Sequence, residues 1–215
     1  MALDVHSVTV GPFRENTYVL GEPGAARALL IDPGDEADRL IAAVDELGVA
    51  VEAILLTHTH IDHVGAVAPL ARHTGAPVYC PELERAVLAD IDGTYGWMEL
   101  GTFESYEADH LLSGGERLEL AGLEIDVLFT PGHSPGHLTY SIPAHETLVV
   151  GDVLFAGSVG RTDLPGGDSV TLLGSIARLI QRMPPQSIVL PGHGPHTTLA
   201  VERDTNPFLT ELTVR

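Results

Sequence analysis

Residues 58–63 read His-Thr-His-Ile-Asp-His, placing three imidazoles and one carboxylate in a single short segment. Both groups are ligands for first-row divalent metals, and histidines two apart converge on one ion where the backbone turns. The bland alternative is a solvated polar loop, since a motif match alone carries a false-positive risk. Two more clusters of the same chemistry lower that risk. Pro131-Gly132-His133 and Pro191-Gly192-His193 each present a histidine after a Pro-Gly turn, and Gly151-Asp152 presents a carboxylate after a glycine.

Each cluster follows a short apolar run. Ile54-Leu55-Leu56 precedes the histidine-rich segment, Val127-Leu128-Phe129 precedes His133, Leu148-Val149-Val150 precedes Asp152, and Ile188-Val189-Leu190 precedes His193. Such runs, bounded by Gly and Pro, read as buried strands. In layered α/β proteins, sites form in the loops at the carboxyl ends of strands. Four strand ends meeting at one edge gather five histidines and two aspartates, enough donors for a binuclear metal site.

The remaining pattern alternates strands and helices. Val5 to Val10, Thr17 to Leu20 and Ala28 to Ile31 read as an antiparallel opening sheet. Asp35 is placed to cap a helix running to Leu47, with Leu40, Ile41, Val44 and Leu47 on one face and Gly48 as its stop. A strand over 51–56 feeds the histidine segment. A helix from near His63 to near Gly75 follows, with Pro69 placed to kink it. Pro77-Val78-Tyr79 reads as a short strand and Pro81 to Asp90 as a short helix. Residues 91–116 are interrupted by Gly93, Gly96, Gly101, Gly114 and Gly115 and carry Tyr95, Trp97, Phe103 and Tyr106. They read as a long irregular loop, either functional or merely anchored by its aromatics. Strands at Arg117 to Leu120, Glu124 to Phe129, Leu138 to Ser141 and Thr147 to Val150 come next, with helices at Val170 to Arg182 and Thr198 to Thr205. No Pro/Ser-rich linker interrupts the chain, so residues 1–215 read as one domain.

The pattern His58-Thr59-His60-Ile61-Asp62-His63, with His133, Asp152 and His193 following in that order, resembles the metallo-β-lactamase superfamily. Within it the chain is most similar to the glyoxalase II-like hydrolases, especially the short forms. Further matches are Glu15-Asn16-Thr17-Tyr18, the loop Gly160-Arg161-Thr162-Asp163 continuing to Asp168, and Asn206-Pro207-Phe208. The resemblance runs from about Val5 to Leu209. The metal motif is specific for the superfamily and much less specific for one substrate.

The resemblance implies an α/β fold layered αββα, a sandwich of two mixed β-sheets flanked by helices. It implies that His58, His60 and His133 hold one ion, that Asp62, His63 and His193 hold a second, and that Asp152 bridges them. Asp62 and Asp152 are then the catalytic carboxylates. The cofactor is two divalent ions, zinc first, with iron and manganese as alternatives because His and Asp suit all three. Two aspartates and a bridging hydroxide leave such a pair one net positive charge, suited to an oxyanion or a departing thiolate. The implied reaction is hydrolysis of a hydroxyacyl thioester by that hydroxide. The implied partner is a small-molecule thioester. The alternative on the same scaffold is a mononuclear iron persulfide dioxygenase, with a 2-His-1-carboxylate site at His58, His133 and Asp152 and a similar Gly-Arg-Thr-Asp loop. A non-catalytic binding relative is the third reading, and the intact ligand set stands against it.

Other residues take lesser roles. His137 reads as a support behind the ligands, since both ion sites are already filled, and His196 borders the pocket. His6, His73, His110 and His145 lack a ligand-like context. Cys80, the one cysteine, reads as a small core residue. It disfavours an antibiotic-hydrolysing member with a cysteine ligand, and the histidine at position 60 disfavours the diiron flavoproteins that carry Glu there. Arg161 is the first candidate for gripping an anionic group of the substrate, or else pairs with Asp163; Arg14 is the weaker candidate. Full-length glyoxalase II enzymes add a carboxy-terminal helical domain that helps bind glutathione, whereas about twenty residues follow Gly194, so another thiol carrier is open.

Composition limits the partners. The formal net charge is −19, and all eleven basic residues are arginine. A surface of that sign repels phosphate backbones, which disfavours the nuclease relatives and any nucleic-acid partner. The opening residues Met1 to His6 lack a basic region and an apolar core of the leader type, and no stretch has the apolar length of a membrane span. A cytoplasmic protein without a membrane partner is the expectation, with the oligomeric state left open.

Overall fold

The computed structural model describes residues 3–209. Met1 and Ala2, part of the leader reading, and residues 210–215, part of the domain span, lie outside the described residues. The first half builds a six-stranded sheet in chain order: β1 (Asp4–Val10), β2 (Glu15–Gly21), β3 (Arg27–Ile31), β4 (Ala50–Leu55), β5 (Val78–Pro81) and β6 (His110–Leu112). β1 to β3 pair antiparallel, and β3 to β6 pair parallel. The second half supplies β7 (Arg117–Leu120), β8 (Leu123–Phe129), β9 (Leu138–Ile142) and β10 (Thr147–Gly151). A small hairpin of β11 (Leu154–Phe155) and β12 (Ser158–Val159) precedes β13 (Ile188–Pro191) and β14 (Thr197–Thr198). The second sheet runs β14-β13-β10-β9-β8-β7, with only β10 and β13 parallel.

Both sheets are mixed, and their central strands are buried on two faces, which explains near-continuous apolar runs rather than alternation. In β3, Leu29 and Ile31 face the other sheet beside Ile125, Tyr140 and Leu190. Ala28 and Leu30 turn to the opposite side and meet Leu40, Val44, Val67 and Leu70. Those partners belong to α1 (Ala37–Leu47) and α3 (Val67–Thr74), which cover that face with α2 (Ile61–Val64), α4 (Arg85–Ala89) and α5 (Ile91–Tyr95). On the far side, Leu148, Val150 and Val189 meet Leu172, Ile176 and Leu199 from α6 (Ser169–Arg182) and α7 (Leu199–Thr205). The order is helix, sheet, sheet, helix, matching the expected αββα sandwich.

Several local expectations change. α1 is capped by Glu36, which has a left-handed backbone and no capping side-chain bond; Asp35 instead accepts the Glu36 amide at 2.6 Å. The helix expected over 63–75 is two pieces separated at Gly65-Ala66. Pro69 does not kink it, because it falls in the first turn of α3, where a missing N–H goes unnoticed. The irregular stretch 91–116 contains α5 and β6, both too short to show a period. Among the described residues no helix is long and apolar enough to cross a membrane.

Two buried tyrosines tie the sheets together where their strands end. Tyr18, in the first sheet, donates to the Pro191 carbonyl at 2.7 Å, and Tyr140, in the second, donates to the Leu56 carbonyl at 2.6 Å. Leu56 leads into the histidine segment and Pro191 into His193, so each bond fixes the exit of a ligand-bearing loop. Pro191 has a second donor in the Asn16 amide at 3.2 Å. Tyr140→Phe is therefore expected to cost about 1–3 kcal/mol in urea unfolding, and Tyr18→Phe less than about 1 kcal/mol. Equal losses in the two variants would show that these bonds do not carry the contact between sheets.

Candidate metal centre

The strand ends bring the seven sequence-predicted donors together. β4 leads to His58, His60, Asp62 and His63, the loop after β8 to His133, β10 to Asp152, and β13 to His193. The β10–β13 register slips between Val149 and Gly151, and Gly151 takes a φ of 46°. That break turns Asp152 out of the ladder and toward the histidines.

Three ring nitrogens face one another: His58 Nε2 to His60 Nδ1 at 3.1 Å, His60 Nδ1 to His133 Nε2 at 2.8 Å, and His133 Nε2 to His58 Nε2 at 3.2 Å. Their tautomers follow from the outward bonds. The Thr57 hydroxyl gives its hydrogen to Asp32 at 2.6 Å, so His58 Nδ1 must donate to Thr57 at 3.0 Å. His133 Nδ1 donates to the Arg161 carbonyl at 2.8 Å. His58 Nε2 and His133 Nε2 therefore both present lone pairs, and two acceptors do not bond each other. A cation among the three resolves the conflict. Tetrahedral coordination with metal–nitrogen bonds of about 2.0–2.1 Å sets ligand nitrogens about 3.3 Å apart, close to the spacing found.

The second group is Asp62, His63 and His193, whose ligand atoms lie within 4.8 Å of one another. His63 Nδ1 donates to Asp32 at 2.9 Å and His193 Nδ1 to the Phe13 carbonyl at 3.1 Å, which aims both Nε2 atoms inward. Asp152 joins the groups: one oxygen lies 3.4 Å from His133 Nε2 and 3.4 Å from His193 Nε2, the other 3.4 Å from His63 Nε2. His63 Nε2 and Asp152 Oδ1 are buried without a hydrogen-bond partner, an arrangement that a shared cation satisfies. Asp32, His58 and His63 also cluster. The Asp32 oxygens are occupied by the Thr57 amide and hydroxyl and by His63, so Asp32 supports the ligands from behind.

Electrostatics separates the two groups. Burial, reinforced by neighbouring imidazoles, holds His58 far below its ordinary range and His60 at about 4. Burial also lowers His133. These rings are neutral and ready to ligate. Burial acts to lower His63 and His193 too, but the surrounding carboxylates together outweigh it: Asp152, Asp32 and Asp62 drive His63 well up, and Asp152 with Asp62 lifts His193 to about 10. Burial pushes Asp152 up, yet His63 and His193 hold it well below the usual carboxylate range.

Several residues act from outside the donor set. His137 donates from Nδ1 to Thr130 at 3.1 Å and accepts the Asp152 amide at 3.1 Å, so it orients Asp152 without joining the donors. His196 lies against the Tyr18 ring. Arg161 forms a two-pronged pair with Asp163 at 2.7 Å for each bond. Cys80 is buried in the core. Sequence reasoning missed three carboxylates. Asp32 follows the apolar run Leu29-Leu30-Ile31, the strand-end position that Asp152 also has, although without the preceding glycine. Glu15 is buried, with one oxygen held by Thr17 at 3.0 Å and the other 3.9 Å from His63 Nδ1; the motif contained it but named no role. Glu84 left no signal. It accepts from the Thr59 amide and hydroxyl at 2.7 and 3.0 Å, and from Ser134 and the Gly136 amide at 2.5 and 2.8 Å, clamping the His58–His60 segment to the His133 loop.

The metallo-beta-lactamase superfamily profile matches residues 10–193. A Bacillus subtilis protein described as the probable metallo-hydrolase YqgX is 40% identical, over 93% of this chain and 94% of its own. The Haemophilus influenzae hydroxyacylglutathione hydrolase GloC is 34% identical, over 96% and 98%. Among solved structures, BLEG-1 B3 metallo-beta-lactamase superposes with a TM-score of 0.90 at 40% identity, over 96% and 100% of the two chains. TTHA1623 in a di-iron-bound form gives 0.86 at 44% identity, over 95% and 100%.

Two outcomes follow. With His193 protonated in the metal-free protein at pH 7.5, uptake at the second group must release a proton, whereas His60 at about 4 is already neutral. Affinity of the second group is thus expected to strengthen as pH rises toward about 10, with the first group nearly flat above pH 6. Zinc titration calorimetry in buffers of different ionisation heat checks this; no buffer dependence would refute the assignment. Gly192→Ala would place a Cβ 2.2 Å from Asp152 Oδ1 and 2.7 Å from His63 Cε1. It is expected to lower occupancy of the second group in metal analysis while far-UV circular dichroism stays unchanged.

Proposed function

The chain belongs to the metallo-beta-lactamase superfamily, and on that premise we propose that it is a binuclear thioesterase of glyoxalase II type. The observation that carries this reading is the pair of donor groups joined by Asp152: His58, His60 and His133 on one side, Asp62, His63 and His193 on the other. When bound, two divalent ions supply Lewis acidity toward a carbonyl oxygen and water acidified to a pKa of about 7.

The protein's part is to hold that chemistry in place. Outward bonds to Thr57, Arg161, Asp32 and Phe13 fix four of the rings, so the donors lose little freedom when they ligate. Asp152 is oriented through its own amide by His137. Asp62 and His193 are partly exposed, at 19% and 26% of their side-chain surface, so the second group is the side open to an arriving thioester. The relation to GloC, a hydroxyacylglutathione hydrolase, supports a hydroxyacyl thioester as substrate. The likeness to BLEG-1 makes a β-lactam the control substrate.

Purified protein is expected to carry about two ions per chain by mass spectrometry and to hydrolyse a hydroxyacyl thioester faster than the β-lactam. Asp62→Asn is expected to lose about one ion per chain and to slow hydrolysis at least about 100-fold. A single iron per chain, with oxygen uptake on glutathione persulfide and no thioester turnover, would replace this reading with the dioxygenase. Full thioesterase activity in Asp62→Asn would remove the second ion from the mechanism.

A further inference from the structure

The turn joining β1 to β2 and the loop after β13 enclose an open groove of about 460 Å³ whose walls include Phe13, Arg14, Asn16, His193 and Pro195. His193 is both a wall of the groove and one of the converging donors, 3.3 Å from Asp62 and 3.4 Å from Asp152. A molecule held in the groove therefore lies against one of the donors. The groove has no carboxylate in its lining, although the chain carries 30 acidic residues against 11 arginines.

Arg14 is exposed, and its guanidinium has no acidic partner among the described residues. Arg27, Arg39, Arg72, Arg117, Arg161 and Arg203 are each paired with an Asp or Glu. Arg161 is thereby engaged at Asp163; Arg85, Arg178 and Arg182 also lack an acidic partner among the described residues, but of the arginines only Arg14 lines this groove. Its backbone holds a φ of 57°, and its amide donates to the Gly11 carbonyl at 3.2 Å, so a closed turn sets its position. Asn16 does not compete for a ligand: its amide donates to Pro191 and Gly194 and its oxygen accepts from Thr9. Beyond Phe13, Leu100 and Phe103 line a smaller recess beside Asp62. Phe13 borders both spaces, but the recess, of about 20 Å³ and lined also by Asp35, has room for about one water molecule, so the groove is the space that can hold part of a substrate.

We infer that Arg14 is a specificity-determining residue that binds an anionic carboxylate or phosphate carried by the substrate away from its scissile bond. A guanidinium fork matches either oxyanion with two parallel hydrogen bonds. On a surface of net charge −19, which repels anions at large, one unpaired cation beside the centre selects where an anionic substrate docks. The inference rests on the hydrolase reading for the reaction, but not for the binding itself.

The test uses metal-loaded protein and three non-hydrolysable thioethers of one common core, ending in a carboxylate, a phosphate or a neutral amide. Kd values come from titration calorimetry. In wild type at least one anionic probe is expected to bind tighter than the amide, and Arg14→Ala to weaken that probe about tenfold. The amide probe should stay within about twofold, Arg14→Lys should lie between, and metal content should not change. Greater loss with the carboxylate identifies a peptide-like thiol carrier, and greater loss with the phosphate a nucleotide-like one; either supports the assignment. Equal weakening of all three probes, unchanged binding of the anionic ones, or no preference for an anion in wild type would overturn it. Because none of these readings involves turnover, their failure is distinct from failure of thioester hydrolysis, which is measured separately.

Discussion

The structure turns on a conflict that it does not resolve with its own atoms. Lone pairs of His58 and His133 face each other at 3.2 Å, and the buried His63 Nε2 and Asp152 Oδ1 stand 3.4 Å apart without hydrogen bonds. Buried polar groups left unmatched cost about 1–3 kcal/mol each. A fold accepts such a cost where another species satisfies the groups. A cation is the species that suits nitrogens and carboxylates aimed at common points.

Everything around the donors serves to keep that conflict in place. Each inward nitrogen is set by an outward bond from the other nitrogen of its ring, or by packing against a neighbouring ring. Asp32 holds His63 directly and His58 through Thr57, so one buried carboxylate positions a donor in each group. Glu84 joins two ligand loops through four bonds, and Tyr18 and Tyr140 lock the strand ends from which those loops depart. The donors are prearranged by rigid elements, so a bound ion need not organise them.

The two groups differ in access and charge, and the difference orients the chemistry. In the first group His58 and His133 are buried and His60 is partly exposed, and all three are neutral. Asp62 and His193 reach the surface, beside the groove that carries Arg14 on one side and the recess of Leu100 and Phe103 on the other. This division fits a superfamily in which one metal-binding core serves many substrates.

The sequence by itself marked the strands and the seven candidate donors, and its resemblance to a known superfamily implied the layered fold. Apolar runs bounded by Gly and Pro are local signals, and a cluster of imidazoles has no ordinary structural use. It also placed Asp152 at a strand end, and the strand-end position of Asp32, after Leu29-Leu30-Ile31, was there to be read. Only the tertiary structure decided which donors face one another, which tautomer each ring takes, and that Glu84 clamps loops 25 and 50 residues away. It also decided that Arg161 is engaged by Asp163, whereas Arg14, at the groove, has no acidic partner among the described residues. The physical reason is range: strand and turn signals act over a few residues, whereas a hydrogen bond or an ion pair between distant segments exists only once packing has brought them within about 3 Å.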